Sequence, residues 1–217
     1  MNGLLSKFWL KQLFYIRCSI PASFVSVLVM GFKPQEWIQQ IAVIEEMFHD
    51  RGYTSIKLIA QGNDIFQLCV ATDSKGDSVA TYLTNEGKVG VKSVRRIRDE
   101  CKKNRYALAI LVCPNGLTPF ATKEMGMEGD APQIDVFKKA QLAFNVTKHN
   151  LVPRHTPLSV TEKRKLLQRL NCKANSLPKI KVDDPVIHYY GLLVGTVVSI
   201  ERTLGALETE AYYRLVV

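Results

Sequence analysis

The chain has 217 residues, of which 47% are apolar and 23% are charged, as is ordinary for a soluble globular protein of one or two domains. Its formal net charge of +9 favours a polyanionic partner such as nucleic acid or an anionic membrane, without excluding neutral partners. Its five cysteines are odd in number and form no CxxC pair, which argues against a disulfide framework and against a structural zinc site.

The N-terminal segment differs in character from the rest of the chain. Residues 1–33 carry bases and no acid, and they include a mostly apolar run at 20–32. This run is shorter than the ~20 residues that a membrane-spanning helix needs. A signal sequence, an organellar import leader and sequence upstream of a true start at Met30 are all open interpretations. We interpret residues 1–33 as an extension outside the folded core.

The first well-patterned segment is an amphipathic helix predicted over residues 34–51. Trp37, Ile44 and Phe48 are among the apolar residues that recur there at helical spacing. Gly52 follows directly and is placed to end the helix in a left-handed conformation. Three short apolar runs come next, at residues 55–60, 65–72 and 78–83. They are separated by turns rich in Gly and Asp, so we predict the strands of a meander.

A second helix is predicted over residues 92–105, with a narrow buried stripe of Val94, Ile97 and Cys101. Its other faces are strongly basic. The continuous apolar run at 106–113 is typical of a strand that is covered on both faces. The order strand, helix, strand indicates a compact α/β layer.

The next segments close the first unit and open the second. Thr118 is placed to cap a turn that Pro119 begins, in the loop at 115–121. Extended runs are predicted at 134–137 and 142–146. A proline-containing stretch at 147–158 then marks a domain boundary.

The C-terminal part begins with a third helix. Ser159 and Glu162 have the spacing of a capping box, with Leu166, Leu167 and Leu170 on one side of the helix. Residues 177–180 read as extended. Two alternating strands are predicted at 195–202 and 211–217, joined by a hairpin connection over 203–210.

Between the extended run at 177–180 and the first of these strands lies the sequence DPVIHYYG (184–191), which contains an acid, a histidine and two tyrosines. Asp184 is a good N-cap, Pro185 suits the first helical position and Gly191 is a natural stop. The acid is therefore used as a cap, and no nucleophile near His188 completes a catalytic group. The stretch indicates a short helix rather than a reaction centre, and we assign no catalytic residue.

Several of these segments, in this order and with this spacing, resemble one known family. The matching pieces are LVPRH (151–155), the capped helix, LPKI (177–180), DPVIHYYG (184–191), GTVVSIER (195–202) and YYRLVV (212–217). They look like the C-terminal assembly domain of the fifth subunit of eukaryotic nuclear RNA polymerases, a family with a shorter archaeal relative. More thinly, EMFHDRGY (46–53), KVGVK (88–92) and GLTPFA (116–121) resemble the jaw domain of the same eukaryotic protein.

The resemblance implies an N-terminal α/β jaw domain with a mixed sheet (residues 34–147) and a small C-terminal α+β assembly domain (residues 148–217). It implies a non-catalytic polymerase subunit in the nucleus that docks on the largest subunit and places its jaw near downstream double-stranded DNA. It further implies contacts with other polymerase subunits, no cofactor or metal, no membrane contact and no homo-oligomer. A shorter segment between Tyr53 and Lys88, and the connection LGALETE (204–210), depart from the family and indicate a divergent lineage or a paralogue dedicated to one polymerase.

The candidate site residues form two groups. Those expected near DNA, through sequence-independent and salt-sensitive contacts, are Lys92, Arg95, Arg96, Lys102, Lys103, Thr118 and Pro119. Those expected at the interface with other subunits are Val152, Pro153, His155, Pro178, Ile180, Asp184, Pro185, Tyr189, Gly191, Arg202, Tyr213 and Arg214. For His155, a hydrogen bond to the backbone is the expected local role.

Three other interpretations compete with this one, and the first of them, a membrane or organellar protein, is based on residues 1–32. A nuclease on an α/β core would need clustered acids to hold a metal ion, and Asp73, Asp77 and Glu86 fall in predicted turns instead. An unrelated nucleic-acid-binding module would need only the basic helix at 92–105.

Overall fold

The computed structural model describes residues 37–61, 65–125, 132–204 and 208–217. The chain divides into two compact units, of which the first ends at Ala143 and the second is Phe144–Val217. Each unit packs helices against a mixed sheet, so the fold class is α+β. The predicted extension at 1–33 lies outside the described residues. Within the described ranges, no helix is long and apolar enough to cross a membrane.

The first unit contains one sheet whose described strands lie in the order β1-β2-β3-β4-β5. Its helices are α1 (Ile38–Asp50), α2 (Val91–Asn104) and α3 (Pro119–Met125). Its strands are β1 (Tyr53–Gln61), β2 (Ile65–Asp73), β3 (Ser78–Thr84), β4 (Leu108–Cys113) and β5 (Gln133–Lys138). The strands β1, β2 and β3 form the predicted antiparallel meander, whereas β3, β4 and β5 run parallel. The parallel pairs follow from the helical connections α2 and α3, because a tight hairpin cannot join parallel strands.

One core cluster of this unit lies between the sheet and α2, and buried residues of α1, among them Ile44, Met47 and Phe48, form a further part of the core. Val94, Ile97 and Cys101 form the buried stripe of α2, as predicted, and pack against Ala109 and Leu111 of β4. All residues of β4 after Leu108 are buried, which confirms a strand covered on both faces. At the end of α1, Gly52 adopts the expected left-handed conformation with φ of +88°.

The second unit holds a sheet with described strands in the order β6-β8-β9-β7. Its helices are α4 (Val160–Arg169) and α5 (Pro185–Tyr190). Its strands are β6 (Arg154–Pro157), β7 (Lys179–Ile180), β8 (Val197–Leu204) and β9 (Glu208–Val216). Among these described strands, β7 and β9 pair in parallel, whereas β6 with β8 and β8 with β9 are antiparallel.

Side chains along β8 and β9 point alternately to the two faces of the sheet, and the core of this unit is therefore divided into two clusters. Val198 and Val216 pack with Ile187 of α5, whereas Val197 and Leu215 pack with Leu166 of α4. Because successive side chains of a strand point to opposite faces, each helix covers one face of the same sheet.

Two local predictions were wrong. Residues 142–146 are not extended: a 3-10 turn covers Lys139–Leu142 and another covers Val146–Lys148. The side chains of Gln141 and Asn145 accept hydrogen bonds from the backbone N–H groups of Lys138 and Thr147, and these local bonds compete with strand pairing.

The other correction concerns the ends of β8 and β9. The hairpin connection is shorter than predicted, since the β8–β9 ladder continues to the pair Leu204 and Glu208. Leu170 is the C-cap of α4 and is 46% exposed.

Candidate interaction surfaces

The basic face of α2 is exposed but contains acids as well as bases. Lys92, Arg95, Arg96 and Lys103 share this face with Asp99 and Glu100. The structure therefore brings four of the predicted DNA-proximal bases together on one surface. Lys102 is exposed near the end of the same helix.

Arg95 is held by a carboxylate that the sequence pattern did not identify. Its Nε and Nη2 donate to the two carboxylate oxygens of Glu124 at 2.8 and 3.1 Å. These hydrogen bonds lower the pKa of the Glu124 carboxyl and raise the pKa of the Arg95 guanidinium. Arg98 donates to the backbone carbonyl of Glu124 at 3.2 Å. Together, Arg95 and Arg98 tie the end of α3 to α2, so Arg95 has a structural contact of its own.

Arg96 is held less firmly. Its Nε lies 3.2 Å from Glu100 Oε1, one helical turn away, and its side chain is 55% exposed. Such exposed pairs contribute only about 0.3–0.5 kcal/mol. A phosphate can therefore attract Arg96 away from Glu100 at little cost in stability.

The loop before α3 adopts the predicted capped turn. Thr118 Oγ1 accepts from the backbone N–H of Ala121 at 3.3 Å, and Pro119 is the first residue of α3. The same turn presents Phe120, which is 77% exposed and was not among the predicted residues. The sequence did contain a signal for this exposure. Phe120 directly follows Pro119 in the first turn of a short capped helix, where few neighbouring residues can cover a side chain.

The predicted interface residues of the second unit fall into buried and exposed sets. Ile180 is 9% exposed and Tyr189 is 3% exposed, so each is covered by the unit itself. Pro178, Pro185, Gly191 and Arg202 are exposed, and Val152, Pro153, His155, Asp184, Tyr213 and Arg214 are half-buried.

Several half-buried residues have partners within the unit. Asp184 Oδ1 accepts from the backbone N–H of Val186 at 3.0 Å, as the N-cap of α5. His155 Nδ1 lies 2.7 Å from the carbonyl of Pro153, which is the expected backbone bond. Arg214 donates to the carbonyl of Lys179 at 3.4 Å. These contacts shape the loops that carry the exposed prolines.

The predicted short helix of DPVIHYYG is confirmed. Gly191 ends α5 in the left-handed region with φ of +64°. Ile187 is fully buried and was missed as a core residue. After α5, Leu193 and Val194 are 63% and 70% exposed. The sequence analysis did not identify these two exposed residues, because the predicted strand began only at residue 195.

Two of the acids considered for a nuclease accept hydrogen bonds from nearby serines. Asp73 Oδ1 accepts from the backbone and hydroxyl of Ser74, and Glu86 accepts from Ser93 Oγ at 3.0 Å. In the part of the chain that the structure describes, no group of three His, Cys, Asp or Glu side chains is placed to hold a metal ion.

Comparison with known proteins agrees with the motifs. The family model described as RNA polymerase Rpb5, C-terminal domain, matches residues 144–216. A solved structure titled "Structure of EndoMS in apo form" aligns with 46% of this chain and 46% of its own, at 21% identity and a TM-score of 0.32, a likeness too slight to bear on function.

Two curated relatives match over both units. The protein named DNA-directed RNA polymerases I, II, and III subunit RPABC1 from Caenorhabditis briggsae is 33% identical over 183 residues, which is 84% of this chain and 85% of the relative. The protein of the same name from Dictyostelium discoideum is 33% identical over 171 residues, covering 78% of this chain and 86% of the relative. The resemblance found in the sequence is thereby confirmed, and the chain belongs to the RPABC1 family, the fifth subunit shared by eukaryotic RNA polymerases I, II and III.

Proposed function

We propose that this chain is a non-catalytic subunit of a nuclear DNA-directed RNA polymerase whose active site lies in other subunits. The match to the Caenorhabditis briggsae protein carries the proposal, because it covers 84% of the chain. The second unit, Phe144–Val217, is too short to account for that share. Both units therefore belong to the likeness, rather than the C-terminal one alone.

The second unit is the assembly domain in this proposal, and it docks on the largest subunit. The match of the family model to residues 144–216 supports this division. Pro178, Pro185 and Arg202 are exposed on this unit, where fixed proline φ angles give a defined surface. Arginine is enriched at protein interfaces, and Arg202 stacks over the ring of Tyr212 at 5.3 Å.

The first unit is the jaw in this proposal, and it lies beside downstream DNA. The bases exposed on α2 support it, because phosphates attract them without regard to sequence. Lys92, Lys102 and Lys103 are better candidates for phosphate contacts than Arg95, whose guanidinium is bound to Glu124. Thr118 and Pro119 shape the loop that would face the duplex.

Affinity purification of the tagged full chain from its own cells, followed by mass spectrometry, tests the proposal. The largest subunits of at least one RNA polymerase should co-purify. The variants Pro185→Gly and Arg202→Glu, at exposed positions, should reduce that recovery. Lys92→Glu combined with Lys103→Glu should leave it intact, because these residues lie in the jaw. The absence of polymerase subunits with the unaltered chain would reject the proposal, and loss of recovery only with the jaw variant would reverse the assigned division of labour.

A further inference from the structure

We propose that a groove beside α4 binds an acidic segment of a neighbouring polymerase subunit, with one apolar side chain of that segment seated on the groove floor. The groove, called the α4 groove below, is lined by Leu158, Glu162, Lys165, Leu166, Arg169 and Tyr213. This inference rests on the proposed function, and it names the chemistry of one partner.

The floor of the α4 groove is apolar and firmly supported. Leu166 is 5% exposed and packs in one cluster with Val197 and Leu215 of the sheet. Leu158 and Tyr213 are partly buried against the same cluster. The groove holds about 230 Å³, which is below the roughly 300–1,000 Å³ of small-molecule pockets. Its size suits a single apolar side chain of a protein partner.

The rim of the groove is basic. Lys165 and Arg169 lie one helical turn apart, so their side chains share a face of α4. Arg169 Nη2 donates to the hydroxyl oxygen of Tyr213 at 3.4 Å, which keeps the guanidinium beside the groove. Across the described ranges, neither Lys165 nor Arg169 forms an ion pair with a carboxylate. A partner that supplies carboxylates therefore meets two cations next to an apolar floor.

Glu162 is the acid among the residues that line the α4 groove, and its position indicates at which end of the groove the acids of the partner should lie. Its carboxylate accepts hydrogen bonds from the backbone N–H and the hydroxyl of Ser159, at 2.8 and 2.7 Å. These bonds lower the pKa of Glu162, with a smaller contribution from the charge of Lys165. An ionised Glu162 disfavours a second carboxylate at the start of α4. The acids of the partner are therefore expected at the other end, near Arg169.

A protein partner explains this combination better than nucleic acid does. Phosphate backbones bind to basic surfaces and do not require an apolar cavity between the bases. The centre of a protein interface, in contrast, buries apolar and aromatic side chains inside a polar rim. Tyr213 and Arg169 are also the residue types that most often dominate binding energy at such interfaces.

A photo-crosslinking residue in place of Gln168 tests the inference in the assembled polymerase. Gln168 is exposed beside Arg169 and does not line the groove. The crosslink, mapped by mass spectrometry, should fall in a segment of another subunit where acids outnumber bases. A crosslink to DNA, to a segment without acidic excess, or to no other molecule would overturn the inference.

A pair of matched variants gives the control. Lys165→Glu with Arg169→Glu reverses the rim, whereas Arg164→Glu with Lys173→Glu makes the same charge change at exposed positions outside the groove. The rim variant should lower the crosslink yield by about tenfold or more, because like charges then face the partner. The control should retain the yield, and thermal melting of both variants checks that they fold.

The two proposals fail in distinguishable ways. If the unaltered chain recovers no polymerase subunits, the proposed function is wrong. If it recovers them and the two charge-reversal variants give equal crosslink yields, only the α4 groove inference is wrong.

Discussion

At the scale of single residues, burial decides which reactive groups are used for packing. Cys69, Cys101 and Cys113 are buried, whereas Cys172 is half-buried. Desolvation raises the pKa of all three buried thiols, and that of Cys69 reaches about 12. These three cysteines therefore behave as small apolar side chains, as their apolar sequence surroundings suggested.

Alkylation of the native chain with iodoacetamide near pH 8 should modify Cys172 well before the three buried cysteines. At that pH, a thiol with a pKa of about 12 is ionised in only about one molecule in ten thousand. Peptide mass spectrometry over time measures the order, and the chain in guanidinium provides the control, where the difference should vanish. Modification of Cys69 at the rate of Cys172 in the native chain would contradict the described packing.

The pair of Arg95 and Glu124 predicts a dependence of stability on pH. A carboxyl whose pKa is lower in the folded chain stabilises the fold above its unfolded pKa of about 4.3, and this contribution is lost as the pH falls through the folded value. Glu124→Gln should therefore show a smaller decrease in Tm between about pH 5.5 and about pH 3 than the unaltered chain. Arg95→Gln should show the same reduction, because the effect needs both partners. Unchanged acid sensitivity in both variants would contradict the pairing.

At the scale of elements, local signals determined much of what the sequence predicted. Three confirmed features involve residues that are close in sequence. They are the apolar stripe of α2, the capping box of Ser159 with Glu162, and the two ends of α5 at Asp184 and Gly191. Short-range patterns reveal such features because their partners lie within one or two turns.

The contacts that the sequence did not indicate are either long-range or dependent on side-chain hydrogen bonds. Arg95 and Glu124 are 29 positions apart and meet only because α2 and α3 pack together. The apolar residues at 142–146 resembled a strand, yet hydrogen bonds from Lys138 to Gln141 and from Thr147 to Asn145 favour 3-10 turns. Periodicity contains no information about either effect.

The N-cap of α5 can be tested by substitution. Asp184→Ala should reduce the free energy of unfolding of the chain by about 1 kcal/mol, because the N–H of Val186 loses its acceptor. Asp184→Asn should stay close to the unaltered chain, since an asparagine side chain also accepts at the N-cap. Urea denaturation measures both values. Equal destabilisation by the two substitutions would show that the charge, rather than the cap, matters.

At the scale of the whole molecule, the two units expose different features on their surfaces. The first unit exposes bases on α2, and the second exposes prolines and the α4 groove. In our proposal, DNA contact and assembly therefore depend on separate sets of residues, and substitutions in one set should leave the other function unchanged.

The salt dependence of DNA binding by the assembled polymerase should reflect the jaw bases. Each phosphate contact that is lost reduces the slope of log affinity against log salt by about 0.9. Lys92→Gln with Lys103→Gln should reduce the slope by roughly 1–2. Lys57→Gln with Lys75→Gln removes the same charge at exposed positions outside α2 and should leave the slope unchanged. Equal slopes for the two variants would exclude a role for the α2 face.

The most direct test of the central claim is an electron cryo-microscopy reconstruction of the polymerase purified through this chain and bound to a DNA duplex. We expect density for the unit Phe144–Val217 against the largest subunit, and density for the first unit with α2 near the downstream duplex. A reconstruction of that complex without this chain, or with its second unit making no contact to the largest subunit, would contradict the account.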